Sequence, residues 1–431
     1  LLQTTTSRTI RLGGTTSSTL LHLTDTELDT ISAATLRIGT GSSSGAITLA
    51  SDINPSGVTS LHLRGAGITG TAGAVSVSKL ALSSGGTVNF TDTTTDVDTL
   101  AVSAASQSVS FLDKDDLDIG SVDGVTGVTA NSFALTASGA LTQSQALSAT
   151  SFALTNTGGS STLTHSSNAL GTIAVNASGQ DLSFSDSNSF TVGTVGSVNG
   201  VQASNLTLTA LSGTLTVANT TNDITASGDV TLVSDSLILT GGITASASTV
   251  SLLQTTTSRT IRLGGTTSST LLHLTDTELD TISAATLRIG TGSSSGAITL
   301  ASDINPSGVT SLHLRGAGIT GTAGAVSVSK LALSSGGTVN FTDTTTDVDT
   351  LAVSAASQSV SFLDKDDLDI GSVDGVTGVT ANSFALTASG ALTQSQALSA
   401  TSFALTNTGG SSTLTHSSNA LGTIAVNASG Q

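Results

Sequence analysis

Leu36-Arg37-Ile38, Ile47-Thr48-Leu49, Leu61-His62-Leu63, Leu80-Ala81-Leu82 and Val88-Asn89-Phe90 are the stretches whose reading decides the fold. In each, two bulky apolar residues flank one that is small or polar, and turn-forming Gly, Ser, Asn or Asp stand nearby. Successive side chains of a strand point to opposite faces, so each triplet puts its apolar pair on one side. The pattern continues through Leu100-Ala101-Val102, Val109-Ser110-Phe111, Ile173-Ala174-Val175 and Leu237-Ile238-Leu239. Helical spacing is sustained nowhere. Its best candidate, residues 24–35, is broken up by β-branched and Ser residues. The chain reads as all-β.

The spacing of the triplets points to a parallel β-helix, or β-solenoid. If the strongest triplets mark one wall, they recur at intervals of about 16 to about 24 residues, the circuit length of such a coil. About 13 circuits then fit the 251-residue period described next, with a rise of roughly 60 Å, and the whole chain would form a rod of roughly 100 Å. A lone circuit buries too little apolar surface to offset the ordering of its backbone, so it must fold onto a neighbour. A string of immunoglobulin-like sandwiches is the competing arrangement. It calls for hairpins, more Pro and a core Trp or Tyr, whereas this chain has two Pro and neither aromatic.

Residues 1–180 reappear without a substitution as residues 252–431, an offset of 251. Residues 1–251 are therefore read as a first full unit and 252–431 as a partial second copy, in one continuous rod with no globular boundary. A chain that starts without Met and stops inside a repeat is expected to be a window on a longer array. A weaker echo at offset 73 relates Val109–Val125 to Leu182–Val198, and both stretches carry an Asp two residues after a Phe, at Asp113 and Asp186. The long unit thus reads as built from shorter ones.

Composition narrows the function. The chain is 431 residues long, 37% hydrophobic and 10% charged, with no Cys, Met, Trp or Tyr, and its aliphatic residues are too regularly placed for a disordered segment. Net charge is −17. That excludes a basic footprint for nucleic acid and disfavours an anionic membrane surface. No run of about 18 apolar residues exists to insert as a membrane-spanning helix. Mutual repulsion between acidic chains would keep long shafts apart. Without Cys there is no disulfide framework and no thiolate metal site.

Motifs that carry chemistry read as turns. Gly65-Ala66-Gly67-Ile68-Thr69-Gly70 fits a nucleotide-binding pattern but is followed by another strand instead of the helix that would receive a phosphate. Gly41-Ser42-Ser43-Ser44-Gly45 matches the nucleophile-elbow pattern, which a Ser/Gly-rich chain meets by chance. Asp113-Lys114-Asp115-Asp116-Leu117-Asp118 lacks the Gly and Glu of a calcium loop and reads as a solvated turn. His22, His62 and His165 are solitary, and His62 should face outward from its strand. Arg8, Arg11, Arg37, Arg64, Lys79 and Lys114 are scattered, so no polysaccharide-cleaving cleft is expected. The expectation is no enzyme, no catalytic or metal-ligating residue and no cofactor; any binding residue is unknown.

Leu23-Thr24-Asp25-Thr26-Glu27-Leu28-Asp29-Thr30-Ile31, Thr35-Leu36-Arg37-Ile38-Gly39, Gly45-Ala46-Ile47-Thr48-Leu49 and the stretch Asp118–Val128 resemble the repeat region of large filamentous-haemagglutinin-like exoproteins. The resemblance is one of pattern and covers the whole chain. It implies a right-handed coil and a two-partner secretion route, in which an outer-membrane β-barrel exports the chain to the bacterial cell surface or beyond. It also implies adhesion or aggregation.

The expected function is a non-catalytic structural shaft of a secreted, repetitive adhesin or extracellular fibre that acts by its length. The rivals are a self-assembling sheath or surface layer and a β-helix binding glycans or ice. Expected partners are further copies of the repeat in cis, lateral neighbours of the same kind, and a host-cell, neighbour-cell or glycan receptor of unknown identity.

Overall fold

The computed structural model describes residues 1–5, 7–15, 20–218, 223–266 and 271–428. It divides into two compact units, Leu1–Leu211 with Thr220–Ile224 and Ser212–Asn219 with Thr225–Gln431. The division falls inside the stretch of sequence present once. Each unit is a parallel, right-handed β-solenoid, and the two together make about 18 turns with almost no helix.

Register explains the triplets. On one wall of the first unit Leu36 stacks on Leu61, Leu61 on Leu80 and Leu80 on Leu100. On another, Ile47 stacks on Ile68, Ile68 on Val88, Val88 on Val109, and then Phe133, Phe152 and Ile173 follow in turn. The triplets at Leu36 and Ile47 therefore belong to different walls of the same turn. Counting them along one wall makes the circuits too short. Steps along a wall are uneven: those from Val102 to Val128 and from Val175 to Val201 carry extra residues in hairpins that leave the coil, and those from Ile10 to Ile47 and from Ile243 to Ile282 are longer still.

Inside the coil the apolar residues form continuous ladders, and Leu61, Leu80 and Leu100 are wholly buried. All ten Phe of the chain pair with one another. Phe90 lies against Phe111 of the next turn with ring centroids 5.9 Å apart, and Phe133 against Phe152 at 5.5 Å. Pairs at this spacing gain about 0.5–1.5 kcal/mol beyond burial.

Corners are held by buried polar side chains. The Asp113 carboxylate, with no exposure to solvent, accepts from the backbone N–H of Val97 at 2.9 Å and of Asp115 at 3.2 Å. Asp186, its counterpart in the weaker echo, does the same for Leu170 and Asn188. That echo in the sequence is thus one corner used twice. The expectation of a solvated turn over 113–118 holds for the exposed Lys114, Asp115 and Asp116 but not for Asp113. Chain ends of a strand segment need their N–H groups paired once water is excluded, and this carboxylate supplies the acceptors.

A short helix departs from the pure strand reading. Asp25–Asp29 is a single turn closed by a capping box: Thr24 Oγ1 accepts from Glu27 N–H at 3.2 Å, and Glu27 Oε2 accepts from Thr24 N–H at 2.8 Å. It follows a strand pair with unusual placement. Ile10–Leu12 pairs along one edge with Ile47–Leu49, and along the other with Leu21–Leu23, the very next strand in the chain. In the second copy Ile261–Leu263 lies likewise between Leu272–Leu274 and Ile298–Leu300, and Leu272–Leu274 contacts the earlier strand Leu237–Leu239 on its far side. The chain here steps back one level before climbing again.

Candidate functional site

Most outward positions of the walls face solvent; those beneath a hairpin do not, and one such patch gathers ionisable side chains. The hairpin Ser121–Val122/Val125–Thr126 folds back over the outer face of the wall built from Ala33–Ile38, Val58–Gly65, Lys79–Ser84 and Thr99–Asp113. Small side chains on that face admit it: Val122 and Val125 pack on Ala81 and Ala101. The turn is Asp123-Gly124, both with left-handed backbone, at φ +50° and +81°. Asp-Gly is the pair favoured by a type I′ turn, whose twist matches the flanking strands.

The hairpin delivers Asp123 to two partners. Arg37 donates from Nε at 2.6 Å and from Nη2 at 2.5 Å, one bond to each carboxylate oxygen. His62 Nδ1 lies 2.6 Å from Asp123 Oδ2, and His62 Nε2 lies 2.8 Å from Ser83 Oγ. Arg37 and His62 are register neighbours, as are Arg64, Ser83 and Ser103 on the same outer face. These residues, with Ser42, Gly124 and Val125, line a pocket of about 400 Å³ open to solvent.

Electrostatics fix the roles of the atoms. Arg37 holds the Asp123 carboxyl down at about 2, against burial and with help from His62. Burial lowers the His62 pKa, outweighing the pull of Asp123. At neutral pH the ring is therefore neutral. With a carboxylate against Nδ1, the proton belongs on that nitrogen, and Nε2 is left to accept from the Ser83 hydroxyl.

The second copy repeats the arrangement. Arg288 donates to Asp374 at 2.7 and 2.6 Å, His313 Nδ1 lies 2.7 Å from Asp374, and His313 Nε2 lies 2.8 Å from Ser334 Oγ. Its pocket is about 430 Å³. The weaker echo does not repeat it. The hairpin Thr194–Val195/Val198–Asn199 has Gly196 where Asp123 would stand, and the pocket beside it is lined by Ser132, Ala134, Ser151 and Ala153 with no ionisable group.

Other sequence candidates stay apart. His22 Nε2 lies 2.8 Å from the carbonyl oxygen of Gly13, and His165 Nδ1 accepts from Ser167 N–H at 3.2 Å. Gly65 ends one strand and Gly70 another, with Ala66 and Gly67 between them. Gly45 belongs to a corner where a Cβ would collide with the Arg8 carbonyl oxygen. Among the described residues no three His, Asp or Glu side chains gather as metal ligands. His62 does face outward from its strand, but beneath the hairpin it is only 6% exposed, and it meets a carboxylate 61 residues away. Arg37 and Arg64, scattered in sequence, come together with it. Ser83 and Asp123 carry no mark of a site in the sequence; the one local signal is Val122-Asp123-Gly124-Val125, which announces a hairpin without saying what lies under it.

No protein family, no curated protein and no solved structure matches the chain.

Proposed function

We propose that the chain is a shaft segment of a secreted, cell-surface repetitive adhesin or fibre of filamentous-haemagglutinin-like type, in which copy number sets length. The observation that carries this reading is the ladder of turns that the exact 180-residue repeat builds twice. Leu61 is wholly buried between Leu36 and Leu80 of the adjoining turns, and Leu312 between Leu287 and Leu331. Burial here comes from the adjoining turn, so the natural way to use such a sequence is to stack many copies. Each added turn extends a coil by about 4.8 Å, or about 50 Å per period at the observed turn length.

The acidic surface favours shafts that stay apart in solution. Export through an outer-membrane partner barrel and attachment at the bacterial surface belong to the same proposal, and a chain with no Cys suits passage in an unfolded state. Electron micrographs of chains with one, two and three periods test it. Particles lengthening by a constant increment of about 50 Å per period are expected; compact particles, or lengths independent of period number, would refute it.

A further inference from the structure

We propose that Ser83 and His62, oriented by Asp123, form a serine esterase site for small acyl esters, and that Ser334, His313 and Asp374 form a second. This goes beyond a shaft and stands independently of it.

The geometry is that of a nucleophile–base–carboxylate relay. Oγ to Nε2 is 2.8 Å in both copies, and Nδ1 to carboxylate is 2.6 and 2.7 Å. Such a relay is recognised by roles and distances, whatever the fold or the order in the chain. The reacting end is accessible, since Ser83 lines an open pocket while His62 and Asp123 are largely covered. Neutral imidazole, the state that burial favours here, is the state a general base requires.

A purely structural account would make Asp123 a clasp for the hairpin. The echo hairpin at 194–199 weakens that account, because it forms with Gly196 at the tip and no carboxylate, His or Arg beneath it. A hairpin of this kind forms without these four side chains, so a clasp alone does not account for all of them. Arg37 is a positioning residue, pinning both oxygens of Asp123 so that one faces the ring. Arg64 stands beside Ser83 in the ladder, lines the same pocket and offers positive charge to an oxyanion.

In the first step Ser83 Oγ bonds to the acyl carbon as its proton passes to His62 Nε2. The tetrahedral adduct collapses, the ester C–O bond breaks, and His62 returns the proton to the departing alkoxide, which leaves as the alcohol. Water then attacks the acyl-Ser83 carbon, giving one proton to His62. Collapse releases the carboxylic acid, and that proton restores the Ser83 hydroxyl.

The test treats the unaltered full chain with a fluorophosphonate probe and maps labelled peptides by mass spectrometry, alongside hydrolysis of p-nitrophenyl acetate. Labelling is expected at Ser83 and Ser334, with none at Ser110 or Ser361, which face outward elsewhere. The double variant Ser83→Ala/Ser334→Ala should lose labelling and about 100-fold or more of the hydrolysis, and Ser110→Ala/Ser361→Ala should lose neither. Hydrolysis should rise with pH through an apparent pKa below the ordinary histidine value, and Arg37→Ala/Arg288→Ala should move that profile. Labelling no stronger at Ser83 than at Ser110, or hydrolysis that survives loss of both serines, overturns the proposal. The labelling result needs no variant, so a substitution that fails to fold does not shield it.

Discussion

Ile173 and Ile424 occupy the same place in the repeat, yet Ile173 has no exposure and Ile424 is 57% exposed. Ile173 has Phe152 on one edge and Val192 on the other, whereas Ile424 has Phe403 on one edge. The difference belongs to the neighbour and owes nothing to local sequence. It predicts strong amide-exchange protection over 169–176 and weak protection over 420–427, read by mass spectrometry as uniform protection in peptides that run past residue 180, which only the first copy has, and as two exchange populations in the peptides the two copies share. Equal protection of the two strands would contradict the stacking argument.

The phenylalanine pairs should act as units. Phe133→Ala removes a wholly buried ring and its stacking with Phe152, a loss of about 3–5 kcal/mol by the cost of comparable core truncations. Phe133→Ala/Phe152→Ala should cost less than the sum of the single changes, because the second ring has already lost its partner. Urea unfolding of the first unit's signals, followed at these positions, checks both statements.

Asp113 and Asp364 set a pH dependence of unusual sign. Burial raises both carboxyls to about 7 in the fold, above the ordinary aspartate value. Between about pH 4 and 7 the folded chain keeps protons that the unfolded chain releases, so stability falls as pH rises through that window and is level above it. Asn156 lies in the same column two turns on and holds its corner as a neutral amide, accepting from Gly158 and Gly159 N–H. Asp113→Asn/Asp364→Asn should therefore flatten the slope and raise the melting temperature relative to the unaltered chain at pH 8. A melting profile from pH 4 to 8 that does not change would count against it.

Much of the fold was legible because strand periodicity is local. Leu61-His62-Leu63 announces an inward pair and an outward residue wherever the strand lies. What periodicity does not reveal is which wall a triplet joins, and Leu36 and Ile47 look like successive marks although their ladders differ. The helix at Asp25–Asp29 is hidden for a related reason. Its capping box is written in Thr24 and Glu27, but the segment is too short to show a helical period. The site was less legible still. Arg37, His62, Ser83 and Asp123 are spread over 86 residues, and only the stacking of turns with the fold-back of a hairpin unites them.

Acid should loosen that hairpin before it disturbs the coil. His62 is favoured neutral in the fold, so below its ordinary pKa the unfolded state takes up the proton first and stability is lost as pH falls. Asp123, held at about 2, loses its contribution as pH falls from about 4 toward 2. Asp123→Leu should mimic the acid effect at neutral pH, since it removes both partners and puts a bulky side chain at φ +50°. Amide exchange over 121–126 is the measurement; protection that persists at pH 3 or in the variant would disprove the linkage.

The backward step at Leu272–Leu274 bears on how such a coil responds to force. If turns were laid down strictly in chain order, a pull on one end would peel them off like thread from a spool. Here Ile261–Leu263 is gripped on one side by a strand that comes later in the chain and on the other by one later still. A tug from the preceding end must shear that strand out from between two others before the next turn can unwind. With one such stitch in every copy of the repeat, each period becomes a brake against unravelling.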